Sequence, residues 1–327
     1  MKKILILGAG TWGLSLAKVL ADNNIVTVWS ALENEITNLK KDKKIKNISG
    51  VVLPDNITFT TDISLCTESD FIIIAVPSLY VRSTIEKAKP FIKDQIIVNV
   101  AKGIEPHTLM TMTDIILDEL GEANVVALSG PTHAEEVAIN LPTTIVAAAS
   151  DLNIANEVVA LFKNTCMRVY TNSDVKGVEI CGALKNIIAL SAGISDGIGY
   201  GDNIKAAIMT RGIAEIRRLG LALGCNDATF SGLAGIGDLI VTASSKHSRN
   251  NNCGNLIGKG YSVKDAISEV GMVVEGINAL PAAVTLSKKY NIDMPITLAV
   301  NEIVINGADV KETVKALLDR PNKEETK

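Results

Sequence analysis

Short, mostly apolar runs alternate with helix-like stretches along the first half of the chain. Residues 4–7, 25–29, 71–76, 96–100 and 125–128 predict buried strands, and residues 143–148 and 167–170 extend the set. Runs that are apolar at every position suit strands of a parallel sheet, because helices cover both of its faces. Their alternation with helical segments predicts an α/β class domain with a doubly wound, Rossmann-like sheet. From about residue 178 the pattern changes. Helical periodicity dominates over 178–192, 204–220, 263–270, 279–290 and 310–318, and glycines at 197, 199, 201, 232, 235 and 237 punctuate it. The chain is therefore expected to divide into a Rossmann domain over 1–177 and a mainly α-helical C-terminal domain over 178–327.

A length of 327 residues is ample for two cores. The net charge of −4 provides no global field for nucleic acid or an anionic membrane, so an anionic ligand would need local cations. No unbroken apolar run reaches about 18 residues, so no membrane span is expected and the location is read as cytoplasmic. The five cysteines form no CxxC pair and the three histidines are scattered, which argues against a disulfide framework and a metal site.

The first chemical motif is Gly8-Ala9-Gly10-Thr11-Trp12-Gly13, placed between the first strand and a helical run. Gly8 permits a tight turn, Gly10 lets backbone approach a pyrophosphate, and Gly13 lets the helix pack close to the sheet. The free N–H groups of that helix end then face the anion. The motif points to a nicotinamide dinucleotide, NAD or NADP. Ser30-Ala31-Leu32-Glu33 follows the second strand with no arginine nearby, which favours NAD slightly.

Further motifs follow strands or interrupt apolar helices. Lys102 sits just past the strand at 96–100, where ligands bind in open α/β sheets, although a surface lysine would look the same. Ser129-Gly130-Pro131-Thr132-His133-Ala134 follows another strand, either as a ligand loop or as a plain connection. Lys185 is the only charge between Glu179 and Asp196, and burial there would depress its pKa as acid–base work requires. Asp238 stands in a glycine-framed turn. Ser248, Arg249 and Asn250 offer the hydroxyl, guanidinium and amide that hold a phosphate, unless the run is simply a solvated loop.

Together these segments resemble the bacterial NAD(P)-dependent glycerol-3-phosphate dehydrogenase family. The resemblance rests on GAGTWG at Gly8, AKGIE at Ala101, SGPTHAEEV at Ser129 and GVEICGALKNIIALSAGISDGIGYGDN at Gly177. It continues with TRGIAEIRRLG at Thr210, FSGLAGIGDLIVT at Phe230, HSRN at His247 and GMVVEG at Gly271. It implies exchange of a hydride between NAD(P) and a small phosphorylated substrate, interconverting sn-glycerol 3-phosphate and dihydroxyacetone phosphate for phospholipid synthesis, in a homodimer. It implies Lys185 as the proton acceptor. Lys102, Gly130, Thr132, Asp238, Ser248, Arg249 and Asn250 would surround the substrate. Thr11, Trp12, Lys102, Ala134, Arg249, Val273 and Glu275 would meet the cofactor. Many members carry a basic residue where Ser30 and Ala31 stand here. Two other readings stay open: another two-domain dehydrogenase of a hydroxy acid or nucleotide sugar, and a non-catalytic dinucleotide sensor.

Overall fold

The computed structural model of the chain describes residues 1–322 except Lys46, together with Glu324 and Glu325. Eight strands form one sheet: β1 (Lys3–Leu7), β2 (Ile25–Trp29), β3 (Thr58–Thr60), β4 (Phe71–Ile74), β5 (Ile96–Asn99), β6 (Asn124–Ser129), β7 (Thr143–Ala148) and β8 (Met167–Asn172). Their spatial order is β3-β2-β1-β4-β5-β6-β7-β8. Every neighbouring pair is parallel except β6 with β7. The first six strands have the doubly wound order, whose direction reverses between β1 and β4 and leaves a crevice past the carboxyl ends of both. The edge strand β3 was not foreseen; it is three residues long with only Phe59 buried, too short for any periodicity. β4 stops at Ile74, two residues before its apolar run ends, and Ala75 turns off to pack against Gly8.

The strand pleat divides the core. Ile4, Ile6, Val26 and Val28 face one side, with Leu14 and Leu16 of α1 (Thr11–Leu20) and Ile36 of α2 (Glu33–Asp42). Leu5, Leu7, Ile72, Ile74 and Ile97 face the other. There they meet Val81 and Ile85 of α3 (Val81–Ala88) and Ile115 and Ile116 of α4 (Met112–Leu120). Each such side chain, fully buried, contributes about 1.5–3 kcal/mol. Two short helices, α5 (Ala134–Ala138) and α6 (Leu152–Leu161), precede the long α7 (Val175–Ile198).

The chain resolves into two compact units, Met1–Gly182 with Cys225–Asp238, and Ala183–Gly224 with Leu239–Lys327. The expected single division at 177/178 is therefore displaced, and a later segment returns to the first unit. Packing explains the return. Leu233 and Ala234 join Ala127, Val146, Ala148 and Val178 in one apolar cluster. Asp174 accepts hydrogen bonds from Asn226 N and Thr229 Oγ1 at 2.9 and 2.7 Å. Within the returning segment lie α9 (Asp227–Phe230), numbered after α8 (Asp202–Ala222), and a turn at Leu233–Gly237, kinked at Gly235, that leads into α10 (Asp238–Ser244).

The second unit is helical: α8 and α10 with α11 (Arg249–Gly258), α12 (Val263–Val270), α13 (Glu275–Lys289), α14 (Pro295–Val304) and α15 (Val310–Leu318). The polar α11 is not among the helices that the periodicity predicts. Ser248 caps it, accepting from Asn251 N at 3.2 Å, and its glycines lie against α7. A Cβ on Gly193 would fall 2.0 Å from Asn251 O, and one on Gly254 2.1 Å from Leu190 O. The two helices thus meet backbone to backbone, a contact that hydrophobic patterning does not encode. Among the described residues α7 alone is long and apolar enough to cross a bilayer, but 94% of its apolar window is buried inside the protein.

Glu215 of α8 supplies the cap that α14 lacks. Its carboxylate accepts from Ile296 N at 2.6 Å and from Thr297 N and Oγ1 at 3.1 and 3.0 Å. Burial nonetheless outweighs these bonds and raises its pKa from 4.5 to about 7. Between those values the folded chain holds a proton that the unfolded chain has lost, so stability falls as pH rises. The contribution is complete below 4.5 and gone once pH has risen through 7. Glu215→Gln should remove it: between pH 4.5 and 7.5 the parent should lose on the order of 3 kcal/mol relative to the variant. Denaturant titrations across that range check this, and parallel stability curves would refute it.

Candidate active site

The first unit builds its site around the crevice between β1 and β4. Gly8 has φ +127°, and a Cβ there would fall 2.6 Å from the Ala75 carbonyl carbon. A Cβ on Gly13 would fall 2.2 Å from Gly8 O, so the start of α1 rests directly on the turn. Gly10, the N-cap of α1, has no neighbour within 4 Å of a Cβ position, and the first turn has neither a side-chain cap nor an acid. An open approach to uncapped backbone N–H groups at a helix N-terminus fits a dinucleotide pyrophosphate. Trp12 is half-buried against the core. Ser15 Oγ bonds Thr11 O at 2.8 Å and Ala134 O at 3.0 Å, which ties α1 to the start of α5. After β2, Ser30 is buried; its hydroxyl accepts from Leu32 N and donates to Glu35, while Glu33 is exposed.

Four expected substrate residues of this unit come together. Lys102 Nζ donates to Asp238 Oδ2 at 2.7 Å and to Gly130 O at 3.1 Å. Thr132 Oγ1 donates to the same carbonyl at 3.0 Å. Gly130 has φ +144°, and a Cβ there would press on Ile145 Cα at 3.1 Å. Asp238 is fully buried, at the start of α10, so its partnership with the less buried Lys102 places a charge pair at the carboxyl ends of β5 and β6. Gly182 leaves room beside the lysine: a Cβ there would lie 3.4 Å from Lys102 Cγ.

The second unit holds the remaining candidates. Lys185 is 6% exposed, and its Nζ donates to Thr242 Oγ1 of α10 at 2.7 Å. Asn250 is buried and links two other segments: its Nδ2 donates to Asn186 Oδ1 at 3.0 Å, and its Oδ1 accepts from Gly276 N at 2.8 Å. A Cβ on Gly276 would fall 2.6 Å from Asn186 O, so the start of α13 is seated on α7 beside Lys185. Glu275 opens α13 and accepts from Asn278 Nδ2 at 3.4 Å; Val273 is half-buried just before it. Arg249, first residue of α11, is exposed, while the neighbouring Ser248 hydroxyl is engaged as the helix cap. Asn250 and Ser248 thus hold the architecture of the site in addition to any ligand. Among the described residues no group of three or more His, Cys, Asp or Glu could hold a metal ion, and all five cysteines are free.

Three residues of this framework were not picked out from the sequence: Asn99, Glu179 and Asn186. Glu179 is buried in the first unit, where it accepts from Asn99 Nδ2 at 3.3 Å, Thr113 N at 3.0 Å and Thr113 Oγ1. Desolvation raises its pKa to about 7 against those hydrogen bonds. The available signal was a lone acid beginning a long apolar helix, the same signal that drew attention to Lys185.

Comparison with known proteins agrees with this geometry. Residues 3–155 match the N-terminal region, and residues 174–315 the C-terminal region, of NAD-dependent glycerol-3-phosphate dehydrogenase. A relative from Lactobacillus delbrueckii subsp. bulgaricus, named glycerol-3-phosphate dehydrogenase (NAD(P)+) 2, is 57% identical over 99% of both chains. One from Bacillus subtilis, named glycerol-3-phosphate dehydrogenase (NAD(P)+), is 50% identical over 98% of this chain and 95% of its own. The crystal structure of glycerol-3-phosphate dehydrogenase from Coxiella burnetii superimposes with a TM-score of 0.94 at 34% identity, covering 98% of this chain and 99% of that one. Matched along nearly its whole length, with a glycine turn at a helix N-terminus and a lysine–aspartate pair at the strand ends, the chain belongs to the NAD-dependent glycerol-3-phosphate dehydrogenase family.

Proposed function

We propose that this chain interconverts sn-glycerol 3-phosphate and dihydroxyacetone phosphate with a nicotinamide cofactor. The observation that carries the proposal is identity of about half or more, over almost the full chain, to enzymes of that name. Gly8, Gly10, Thr11, Trp12 and Gly13 would seat the dinucleotide, with Ala134, Val273 and Glu275 also contacting it. When bound, the nicotinamide supplies the hydride for C2 of the ketone, or accepts it from the alcohol.

The rest falls to side chains. Lys185 donates a proton to the alkoxide oxygen at C2 and takes it back in the reverse direction. Its burial beside a neutral hydroxyl supports that role. Lys102 sets a positive charge near the same oxygen, and Asp238 fixes where that charge stands. The Gly130 and Thr132 loop shapes the pocket beside it. Arg249 binds the phosphate through charge-assisted bonds, aided by the Ser248 hydroxyl and the Asn250 amide. NAD is the preferred form: Glu33 and Glu35 follow β2 with no nearby arginine, an unfavourable setting for a 2′-phosphate. The enzyme would act in the cytoplasm as a homodimer, providing glycerol 3-phosphate for phospholipid synthesis.

The test is nicotinamide absorbance with purified protein and dihydroxyacetone phosphate, with NADH and NADPH in parallel. Oxidation that depends on the ketone is expected in both, faster with NADH. Cofactor binding without oxidation of either would count against the reaction, and faster turnover with NADPH would reverse the cofactor preference.

A further inference from the structure

Lys102 hangs from a short loop, and the reach of a four-carbon side chain depends on where its backbone is held. Two anchors flank it. On one side Asn99, the buried last residue of β5, clamps the neighbouring residue: its Oδ1 accepts from Ala101 N at 3.1 Å and its Nδ2 donates to Ala101 O at 3.0 Å. On the other side Gly103 is pressed on Ser78, since a Cβ there would fall 2.4 Å from Ser78 Cβ. The Asn99 amide is itself held, because Nδ2 also donates to Glu179 Oε1 at 3.3 Å. The same Glu179 oxygen accepts from Thr113 N at 3.0 Å in the first turn of α4. One carboxyl group therefore fastens the loop, α4 and α7 together.

We propose that Asn99 and Glu179 are positioning residues for Lys102, fixing the Ala101 peptide so that the ammonium group stands at Asp238 and Gly130. The inference rests on the reading of Lys102 given above. Both residues are buried, and each of these bonds ends on the Lys102 loop or on a helix that borders it.

The test uses the full-length enzyme and four proteins: parent, Asn99→Asp, Lys102→Met and the double variant. Aspartate keeps the acceptor for Ala101 N, loses the donor to Ala101 O, and sets a second acid against Glu179. Asn99→Asp should lower kcat by about tenfold or more, as small misplacements of a charge-stabilising group do. NADH affinity should fall by less than kcat does, because the glycine turn is untouched. Amide hydrogen exchange should rise at residues 101–103. The double variant should be no slower than Lys102→Met alone, since a residue that acts through Lys102 has nothing left to position. Glu179→Gln, which keeps the Oε1 acceptor, should retain turnover that Glu179→Ala loses.

A parent-like kcat in Asn99→Asp, or losses that multiply in the double variant, would overturn the inference. Near-normal turnover in Lys102→Met would instead overturn the role of Lys102 and the inference with it. Should Asn99→Asp not fold, Asn99→Ser leaves a hydroxyl to accept from Ala101 N without adding charge, and the same cycle applies.

Discussion

Replacing Lys185 with methionine should leave a folded protein that binds NADH normally and reduces dihydroxyacetone phosphate about a thousandfold more slowly, mid-range for loss of a general acid. Methionine approximates the length of the lysine stem and suits the apolar wall of α7, where Ile187, Ile188 and Leu184 are fully or almost fully buried. What disappears is the ammonium group. Thr242 Oγ1 loses a donor, but a hydroxyl can turn to another partner, and the apolar core of the helix stays filled. The glycine turn proposed to seat the dinucleotide, residues 8–13, lies in the other unit, which makes NADH affinity a control. Measuring kcat and NADH binding on the same preparation separates the alternatives. Turnover within tenfold of the parent would remove Lys185 from the proton transfer.

The second large effect is on stability. Gly254→Ala should cost about 3 kcal/mol or more, toward the upper end for overpacking, because the added methyl meets backbone instead of a movable side chain. Its Cβ would lie 2.1 Å from Leu190 O and 2.9 Å from Ile194 N. Neither atom can yield without parting α7 from α11. At a few degrees per kcal/mol for a chain of this size, Tm should fall by about 10 °C. The parting also moves the N-terminal end of α11, where Ser248, Arg249 and Asn250 sit, so KM for dihydroxyacetone phosphate should rise while NADH affinity holds. Gly201→Ala is the control: it has an ordinary φ and no neighbour within 4 Å of a Cβ. Equal Tm values for the two variants would show that the helices tolerate separation.

Much of this molecule is legible in its sequence. The sheet was legible because a parallel strand covered on both faces is apolar along its length, as in β4 and in residues 4–7 of β1. The glycine turn was legible because few sequences place three glycines at that spacing between a strand and a helix. Lys102, Gly130, Thr132 and Asp238 were each singled out as candidates, and the fold brings them within hydrogen-bond reach of one another. What stayed hidden follows from long-range contact. Nothing local marks Asn99 as a clamp, since its second partner lies 80 residues away. The helical state of residues 249–258 depends on a glycine face that hydrophobic periodicity does not record. The return of Cys225–Asp238 depends on an apolar cluster whose other members were made up to about a hundred residues earlier.

That return governs the order in which the protein can be completed during synthesis. The first unit is interrupted after Gly182 and resumes only at Cys225. At ribosomal speeds of about 5–20 residues per second, several seconds separate the two emergences. Throughout that interval the nascent sheet exposes Ala127, Val146 and Ala148 without the Leu233 and Ala234 that later cover them. Lys102 meanwhile waits for Asp238, the last residue of the unit to arrive. The glycine turn at residues 8–13 can close long before the Lys102–Asp238 charge pair exists. No single cut releases the first unit whole: excising it requires a linker that joins residue 182 to residue 225.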